Sequence, residues 1–151
     1  MKRKIFFMLL IISFTSISFS QGKFGLGIIV GEPTGLSMKL KLSDNSAIDG
    51  ALGWSFAKYG SMHIHADYIQ NIVNLSSEVP LYLGVGGRIK TKNNNKGEDD
   101  SRFGIRIPVG IVYEPSTVPI DVFVEIVPLL DLTPASEFTM NAAVGIRYYF
   151  K

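Results

Sequence analysis

Apolar and polar residues alternate along most of the chain, and the last stretch shows this alternation most regularly. From Glu137 to Phe150, the even positions carry Phe, Met, Ala, Val, Ile, Tyr and Phe, whereas the odd positions are mostly polar or small. Because successive side chains of a β-strand point to opposite sides, this alternation predicts one strand with an apolar and a polar face. The stretch is much longer than the common strand of about 5 to 6 residues.

The same period divides the preceding chain into seven more strands, with breaks placed where turn residues cluster. Pro108 falls inside the predicted sixth strand, and Pro128 lies near the end of the predicted seventh. Each proline removes one donor of the sheet, so we expect a bulge or a local break at both positions. Residues 71–80 form a longer connection, and a polar loop starts at Lys90 and ends at Ser101. The predicted strands cover residues 24–30, 36–42, 48–56, 62–68, 81–89, 102–111, 120–126 and 137–150.

The two faces of these strands differ in charge and in size. The apolar face carries no charge, whereas the other face carries most of the glycines. An eight-stranded barrel has an interior only just wide enough for side chains, which places the small residues inside. Charges buried there need partners, and neighbouring strands supply both signs. The predicted network in the barrel interior consists of Lys39, Lys41, Asp49, Asp67, Arg88, Arg106, Asp121, Glu125 and Arg147, with Glu125 between the strands of Arg106 and Arg147 and the two lysines beside the strand of Asp49.

Aromatic residues of the apolar face fall near the ends of the predicted strands. Outer-membrane barrels carry aromatic girdles at both membrane interfaces. With the N-terminus in the periplasm, the inner rim carries Phe24, Tyr68, Tyr113, Tyr148 and Phe150, and the outer rim carries Trp54, Phe56, Phe103 and Phe138. The pattern therefore predicts an all-β fold, an eight-stranded antiparallel up-and-down transmembrane β-barrel. A soluble periplasmic lipocalin-like barrel, which would bind a ligand in an apolar interior, is the alternative.

The first 20 residues have the pattern of a cleaved signal peptide. Lys2, Arg3 and Lys4 precede an apolar run over residues 5–12, and Ser18 and Ser20 mark a small-residue cleavage site. We expect cleavage after Ser20, which leaves residues 21–151 as one barrel domain. This removes three of the 15 basic residues and none of the 13 acidic ones, so the net charge changes from +2 to −1. No basic patch interleaved with aromatic residues remains to bind nucleic acid.

The chain has no cysteine. This excludes a disulfide framework, thiol chemistry and acylation at an N-terminal lipoprotein cysteine. No motif predicts a cofactor either, so an exported protein of this composition depends on its sheet for stability.

The signal peptide, the eight amphipathic strands and the aromatic-rich last strand together resemble the small outer-membrane barrels of the type of outer membrane protein X and the transmembrane domain of outer membrane protein A. The segments GEPTGLSMKLKL, AIDGALGWSF and AAVGIRYYF also resemble a family of uncharacterised bacterial outer-membrane barrel proteins. The resemblance implies integration into the bacterial outer membrane by the barrel-assembly machinery. That machinery recognises a last strand ending in an aromatic residue, and Lys151 after Phe150 departs from this pattern.

The functional hypothesis that follows is a non-enzymatic barrel, acting as an envelope scaffold or as a surface-exposed binding protein through the loop from Lys90 to Ser101. A packed interior of paired charges does not suit a diffusion porin. We expect contacts with outer-membrane lipid and none with nucleic acid.

Two chemical alternatives involve the hairpin around residue 59. Ser55 and His63 opposite each other, with Asp67 or Glu125 as orienting acid, would suit an outer-membrane lipid hydrolase or acyltransferase. His63 and His65 on one strand face could share a metal ion. Asp67 is about 13 Å along the strand from His63, too far to bind the same ion. Such residues more often belong to an ordinary hydrogen-bond network.

Overall fold

The computed structural model describes residues 22–55, 60–93 and 99–150. The predicted signal peptide, Phe56 and Lys151 lie outside these ranges. No α-helix within them has the length and hydropathy needed to cross a membrane. The described ranges form antiparallel strands: β1 (Phe24–Gly31), β2 (Gly35–Lys41), β3 (Ser46–Ser55), β4 (Ser61–Ser76), β5 (Val79–Asn93), β6 (Asp99–Arg106), β7 (Val109–Tyr113), β8 (Ile120–Thr133) and β9 (Glu137–Phe150).

The strands form a closed ring in chain order, because β1 pairs with β9 as well as with β2. Strands β6 and β7 are two halves of one strand. Arg106 pairs with Gly86 and Val109 with Leu83, so both halves keep the same register against β5. The ring therefore has eight strand positions and no free edge along its apolar belt. This is the predicted eight-stranded antiparallel up-and-down barrel.

The two prolines behave differently. Pro108 separates β6 from β7, as predicted, and its carbonyl accepts a hydrogen bond of 2.8 Å from the Gly84 amide. The break predicted at Pro128 was wrong, because β8 continues through it in register with Met140. The N–H and C=O of one residue in an antiparallel strand point to the same neighbour. The Pro128 carbonyl accepts from Ile107, so the missing donor faces the interruption rather than β9.

Two predicted connections are largely strand. The connection over residues 71–80 is shortened to a tight turn, because β4 extends to Ser76 and β5 starts at Val79, with irregular pairing near Asn71 and Asn74. The polar loop from Lys90 to Ser101 is likewise mostly strand, since Lys90 pairs with Arg102. Residues 94–98, between these strands, lie outside the described residues. Both segments lack alternation of apolar and polar residues, which is why the sequence pattern did not show them as strands.

The strands are strongly tilted. Leu26 of β1 pairs directly with Tyr148 of β9. Following the paired residues from Leu26 through β2, β3 and the remaining strands in turn leads instead to Phe138 of β9. Phe138 and Tyr148 are ten residues apart, so one circuit of the barrel shifts the register by ten residues. This stagger is the shear that a closed barrel requires, and it corresponds to the strand tilt of about 35–45° seen in barrels.

The apolar face of the strands points outward. Along β8, Val124 and Ile126 are 58% and 53% exposed, whereas the alternating Phe123 and Val127 are 1% and 0% exposed. Similar exposed apolar residues occur on every strand position of the ring. An apolar surface of this extent greatly exceeds the few hundred Å² found on soluble monomers. The polarity is the reverse of a soluble barrel, so the lipocalin-like alternative was wrong.

Glycines make room for the large side chains of the interior. Each of three buried aromatic residues has a glycine as its register partner on the neighbouring strand. A Cβ atom at Gly110 would overlap the ring of Tyr82, and one at Gly145 would overlap the ring of Phe123. The pairs are Tyr82 with Gly110, Phe123 with Gly145, and Tyr149 with Gly25.

We predict that Gly110→Ala destabilises the barrel by about 1–3 kcal/mol, because the added methyl group displaces Tyr82 from a full interior. The measurement is urea unfolding of the protein refolded into lipid vesicles. Gly87→Ala is the control, because Gly87 faces outward and an added Cβ there meets no atom closer than 3.7 Å. Equal unfolding midpoints for the two variants would show that the interior has spare room.

Candidate functional site

Charged side chains fill the barrel interior along its length. The alternation of β2 to β9 turns these residues inward, where the wall of the barrel separates them from the surroundings. Eight of the nine residues predicted for this network are buried, and Lys41 is half-buried at one end. They form three groups, which we call the inner, middle and outer clusters.

The inner cluster is centred on Arg147 of β9. Its Nε donates to Asp121 Oδ1 at 2.9 Å, and its Nη1 donates to Asp49 Oδ1 at 2.8 Å. The guanidinium carbon lies 4.0 Å from the centre of the Phe123 ring, a cation–π contact. Tyr149 Oη donates to Asp121 Oδ2 at 2.6 Å. Arg147 thus binds two buried carboxylates, one from β3 and one from β8.

Two lysines join the inner cluster to the turn after β7. Lys39 Nζ lies 3.1 Å from Glu114 Oε1 and 3.7 Å from Asp121 Oδ2, and Lys41 Nζ lies 3.0 Å from Glu114 Oε2. Burial raises the pKa of Glu114, but the two ammonium groups outweigh it and hold that pKa below its ordinary value. Glu114 is therefore ionised at neutral pH and binds both lysines at this end of the interior.

The middle cluster is centred on Arg106 of β6, which is fully buried. Its Nε donates to both carboxylate oxygens of Asp67, at 3.0 and 2.9 Å. Its Nη2 lies 3.5 Å from Glu125 Oε1, and Tyr82 Oη donates to Glu125 Oε2 at 3.0 Å. Arg106 thus binds carboxylates from two strands, β4 and β8.

The outer cluster joins β5, β6, β8 and β9. Arg88 holds Asp131 with two hydrogen bonds, from Nε to Oδ1 at 3.2 Å and from Nη2 to Oδ2 at 2.7 Å. Arg102 Nη1 lies 3.1 Å from Glu137 Oε2 and 3.9 Å from Asp131 Oδ2. The outer cluster is more exposed at Arg102 and Glu137 than at Arg88 and Asp131.

Several partners differ from those expected from strand adjacency. Lys39 is the register partner of Asp49, yet its ammonium group binds Glu114 and Asp121. Arg147 was expected beside Glu125; it binds Asp121, its register partner on β8, and also reaches Asp49 on β3. The reason is length, because a lysine or arginine chain extends along or across the narrow interior beyond its neighbouring strand.

Six partners in the described network were missed: Tyr82, Arg102, Glu114, Asp131, Glu137 and Tyr149. Asp131 continues the inward period of Asp121 and Glu125, so extending the predicted seventh strand past Pro128 would have found it. Tyr82 also lies at an inward position of its strand. Glu114 follows the end of β7, where the alternation ends, and no pattern in the sequence indicates its role.

The two histidines lie side by side in the interior. His63 Nε2 is 3.1 Å from His65 Nδ1, and His65 Nε2 is 3.8 Å from Asp67 Oδ2. Among the residues that the structure describes, no group of three or more acidic or histidine side chains is arranged to hold a metal ion. A metal site at His63 and His65 therefore has no third protein ligand in the described ranges.

The arrangement expected for catalysis is also incomplete. Ser55 pairs with Ser61, and His63 pairs with Gly53, so the expectation that Ser55 and His63 lie opposite each other was wrong. The observed register is shifted by two residues from the predicted one, because Ser55 lies opposite Ser61 rather than His63. The acids considered as orienting groups, Asp67 and Glu125, both bind Arg106.

A cavity of about 310 Å³ lies at the end of the barrel where β3 meets β4. Polar groups of the turn after β1 and of strands β4 and β5 line it. Lys90 is the register partner of His63 across β4 and β5, and both side chains point inward. We call this cavity the outer pocket; it is lined by Gly31, Glu32, Pro33, Thr34, Gly53, Trp54, Ser61, His63 and Lys90.

Most aromatic residues of the apolar face lie near strand ends. Phe24 stacks on Phe150 with ring centres 6.4 Å apart, and Tyr148 contacts Phe150 at 5.4 Å, where the first and last strands meet. Tyr113 ends β7; Trp54, Phe103 and Phe138 lie within a few residues of the opposite rim. Tyr68 was misplaced by the sequence pattern, because β4 is longer than predicted and Tyr68 lies near its middle. Phe56 is outside the described residues.

Comparisons with known proteins agree with this architecture. Residues 15–151 match the family described as "Protein of unknown function (DUF3996)". No curated protein matches the chain. The N-terminal β-barrel domain of Pseudomonas aeruginosa OprF is similar with a TM-score of 0.65 and 14% identity, over 84% of this chain and 95% of that one. Neisserial surface protein A is similar with a TM-score of 0.54 and 16% identity, over 84% and 93%. At these identities, the likeness shows the fold, that of small outer-membrane barrels.

We predict that Arg147→Met destabilises the barrel by about 3–5 kcal/mol, because it leaves Asp49 and Asp121 buried without their shared cation. The measurement is urea unfolding in lipid vesicles. Arg102→Gln is the control, because its ion pair with Glu137 is exposed and such pairs contribute about 0–1 kcal/mol.

A triple variant separates charge from packing. Adding Asp49→Asn and Asp121→Asn to Arg147→Met removes the unpaired charges, so part of the lost stability returns. If the triple variant is no more stable than Arg147→Met, charge pairing is not the source of the effect.

Proposed function

We propose that this chain, which belongs to the DUF3996 family of proteins of unknown function, is an integral, non-enzymatic protein of the bacterial outer membrane. One observation carries the proposal. The outward face is apolar on every strand position of the ring, while the inward face buries charges that bind each other. Such a surface is unfavourable in water and favourable in a bilayer, where a closed barrel satisfies its backbone groups internally.

Export and insertion follow from the two ends of the chain. The proposed signal peptide is cleaved after Ser20, and the barrel-assembly machinery recognises the last strand. Tyr148 and Phe150 lie on the outward face of β9, next to the seam with β1. This position supports a role of the aromatic end of β9 in closing the barrel within the membrane.

The proposed role is to hold a binding surface at the outside of the cell. The N- and C-terminal ends of the barrel lie at the same rim, which we assign to the periplasm. The opposite rim then faces the outside of the cell. Polar strand extensions then lie at the other rim, around Lys90, Lys92 and Arg102 of β5 and β6. Residues 94–98 connect these extensions in the sequence. Interior side chains bind one another, so the surface available for partners is the outer mouth with this hairpin.

We predict that Ile126→Lys lowers the yield of folded protein in the outer membrane, whereas Ile126→Leu leaves it unchanged. Ile126 lies near the middle of β8 and is 53% exposed on the apolar face. A lysine at the bilayer midplane costs about 2–4 kcal/mol. The measurement is cell fractionation followed by electrophoresis with and without heating, which distinguishes the compact, detergent-resistant barrel from the unfolded chain.

In this assay, the wild-type chain is expected in the outer-membrane fraction as a species whose mobility changes on heating. A wild-type chain found in the periplasm, or Ile126→Lys that folds and fractionates like Ile126→Leu, would contradict the proposal.

A further inference from the structure

The wall of the barrel is shorter at the β1–β2 turn than at the neighbouring strands of the outer rim. Strand β1 ends at Gly31 and β2 begins at Gly35, whereas the flanking strands reach further. The last backbone contact of this turn with β9 is from the Glu32 amide to the Ala142 carbonyl, at 3.1 Å. Residues 137–141 of β9 pair with β8 but have no ladder with β1 among the described residues. The wall of the barrel therefore has a notch above this turn.

The turn itself folds into the mouth of the barrel. Pro33 is buried and lies against Gly53 of β3, where an added Cβ would overlap the proline ring. The Trp54 amide donates to the Thr34 carbonyl at 3.0 Å, which fixes the turn to the end of β3. The turn is thus both the lower edge of the notch and one wall of the outer pocket.

Lys90 gives the outer pocket a positive charge. The arginines around it are paired: Arg88 with Asp131, Arg102 with Glu137 and Arg106 with Asp67. Among the side chains that the structure describes, which do not include those of residues 93–100, no carboxylate forms an ion pair with Lys90. Lys90 lines the pocket and faces His63 across β4 and β5. Ser61 adds a hydroxyl group to the same wall. A lysine positioned in this way suits a phosphate group, which it binds as a point charge.

Glu32 contributes the opposite charge from the turn. Its carboxylate is exposed and lines the same pocket. A ligand that carries a phosphate and an ammonium group matches these two charges better than a ligand that is only anionic. The volume of about 310 Å³ corresponds to roughly ten water molecules at about 30 Å³ each, which suits a headgroup rather than a larger molecule.

We propose that the outer pocket binds a phosphate ester that also carries an ammonium group, with Lys90 contacting the phosphate and Glu32 the ammonium. The inference deepens the proposed function, on which it rests for the orientation of the barrel. The ligand is either a free phosphodiester, which enters from outside the cell, or the headgroup of a lipid, which enters through the notch.

The single tryptophan of the chain supplies the signal, because Trp54, on the outward face of β3, also borders the pocket. The refolded full chain in maltoside micelles, which contain no phosphate, is titrated with sn-glycero-3-phosphoethanolamine while Trp54 fluorescence is recorded. A second titration uses dihexanoyl phosphatidylethanolamine below its micelle concentration. Glycerol 3-phosphate is the ligand without the ammonium group, and glycerol is the ligand without either charged group.

We expect saturable fluorescence changes with at least one ethanolamine phosphate and none with glycerol. Lys90→Gln weakens this binding at least tenfold. Glu32→Gln reduces the preference for ethanolamine phosphate over glycerol 3-phosphate. Lys23→Gln is the matched control, because it removes one positive charge at the opposite rim and leaves binding unchanged.

The two sources of the ligand give different results. Comparable affinities for the soluble diester and the lipid indicate a free ligand, and binding of the lipid alone indicates entry through the notch. The inference is overturned if neither probe binds saturably, or if Lys90→Gln binds as well as wild type. Electrophoresis of the same samples with and without heating shows whether the barrel is folded. A folded barrel that binds neither probe contradicts the ligand site alone, and leaves the proposed function standing.

Discussion

The narrow interior is the constraint on which the rest of this barrel depends. Buried charges that cannot reach water need partners, and the interior supplies them through three clusters centred on Arg147, Arg106 and Arg88. Arginine suits this task because its planar guanidinium group binds carboxylates from two strands at once. Three of the contacts connect strands that are not neighbours in the ring: Arg147 with Asp49, Arg106 with Asp67, and Arg88 with Asp131. They therefore hold the cross-section in shape as well as neutralising charge.

The same constraint explains the distribution of side-chain size. Large inward residues such as Tyr82 and Phe123 have glycine as their register partner, so the volume of each layer is shared between adjacent strands. Outside the barrel no such limit acts, and bulky aliphatic residues cover the strands. Side chains facing the interior are thus mostly small or polar, and those facing outward are large and apolar, the reverse of a soluble barrel. A bilayer is the environment in which this arrangement is favourable.

Much of the architecture was predictable because successive residues of a barrel strand face the interior and the outside in turn. This alternation leaves a period of two in the sequence. The prediction failed where that contrast is absent. Residues around Asn74 and Lys92 pair as strands although they do not alternate, and the lengthened β4 moved Tyr68 away from the rim. Partners in the interior were less predictable than positions, because long side chains such as Lys39 bypass the neighbouring strand and bind Glu114 beyond it.

The central claim is that the apolar face meets lipid and the charged face does not, and magnetisation transfer in lipid nanodiscs tests it most directly. Methyl groups of Ile28, Val124 and Ile146 point outward, whereas those of Ile29 and Val112 are buried. The account predicts cross-relaxation from the lipid acyl chains to the first three residues and none to the last two. Acyl-chain contacts at Ile29 and Val112, or water contacts in place of lipid at the outward methyl groups, would contradict it.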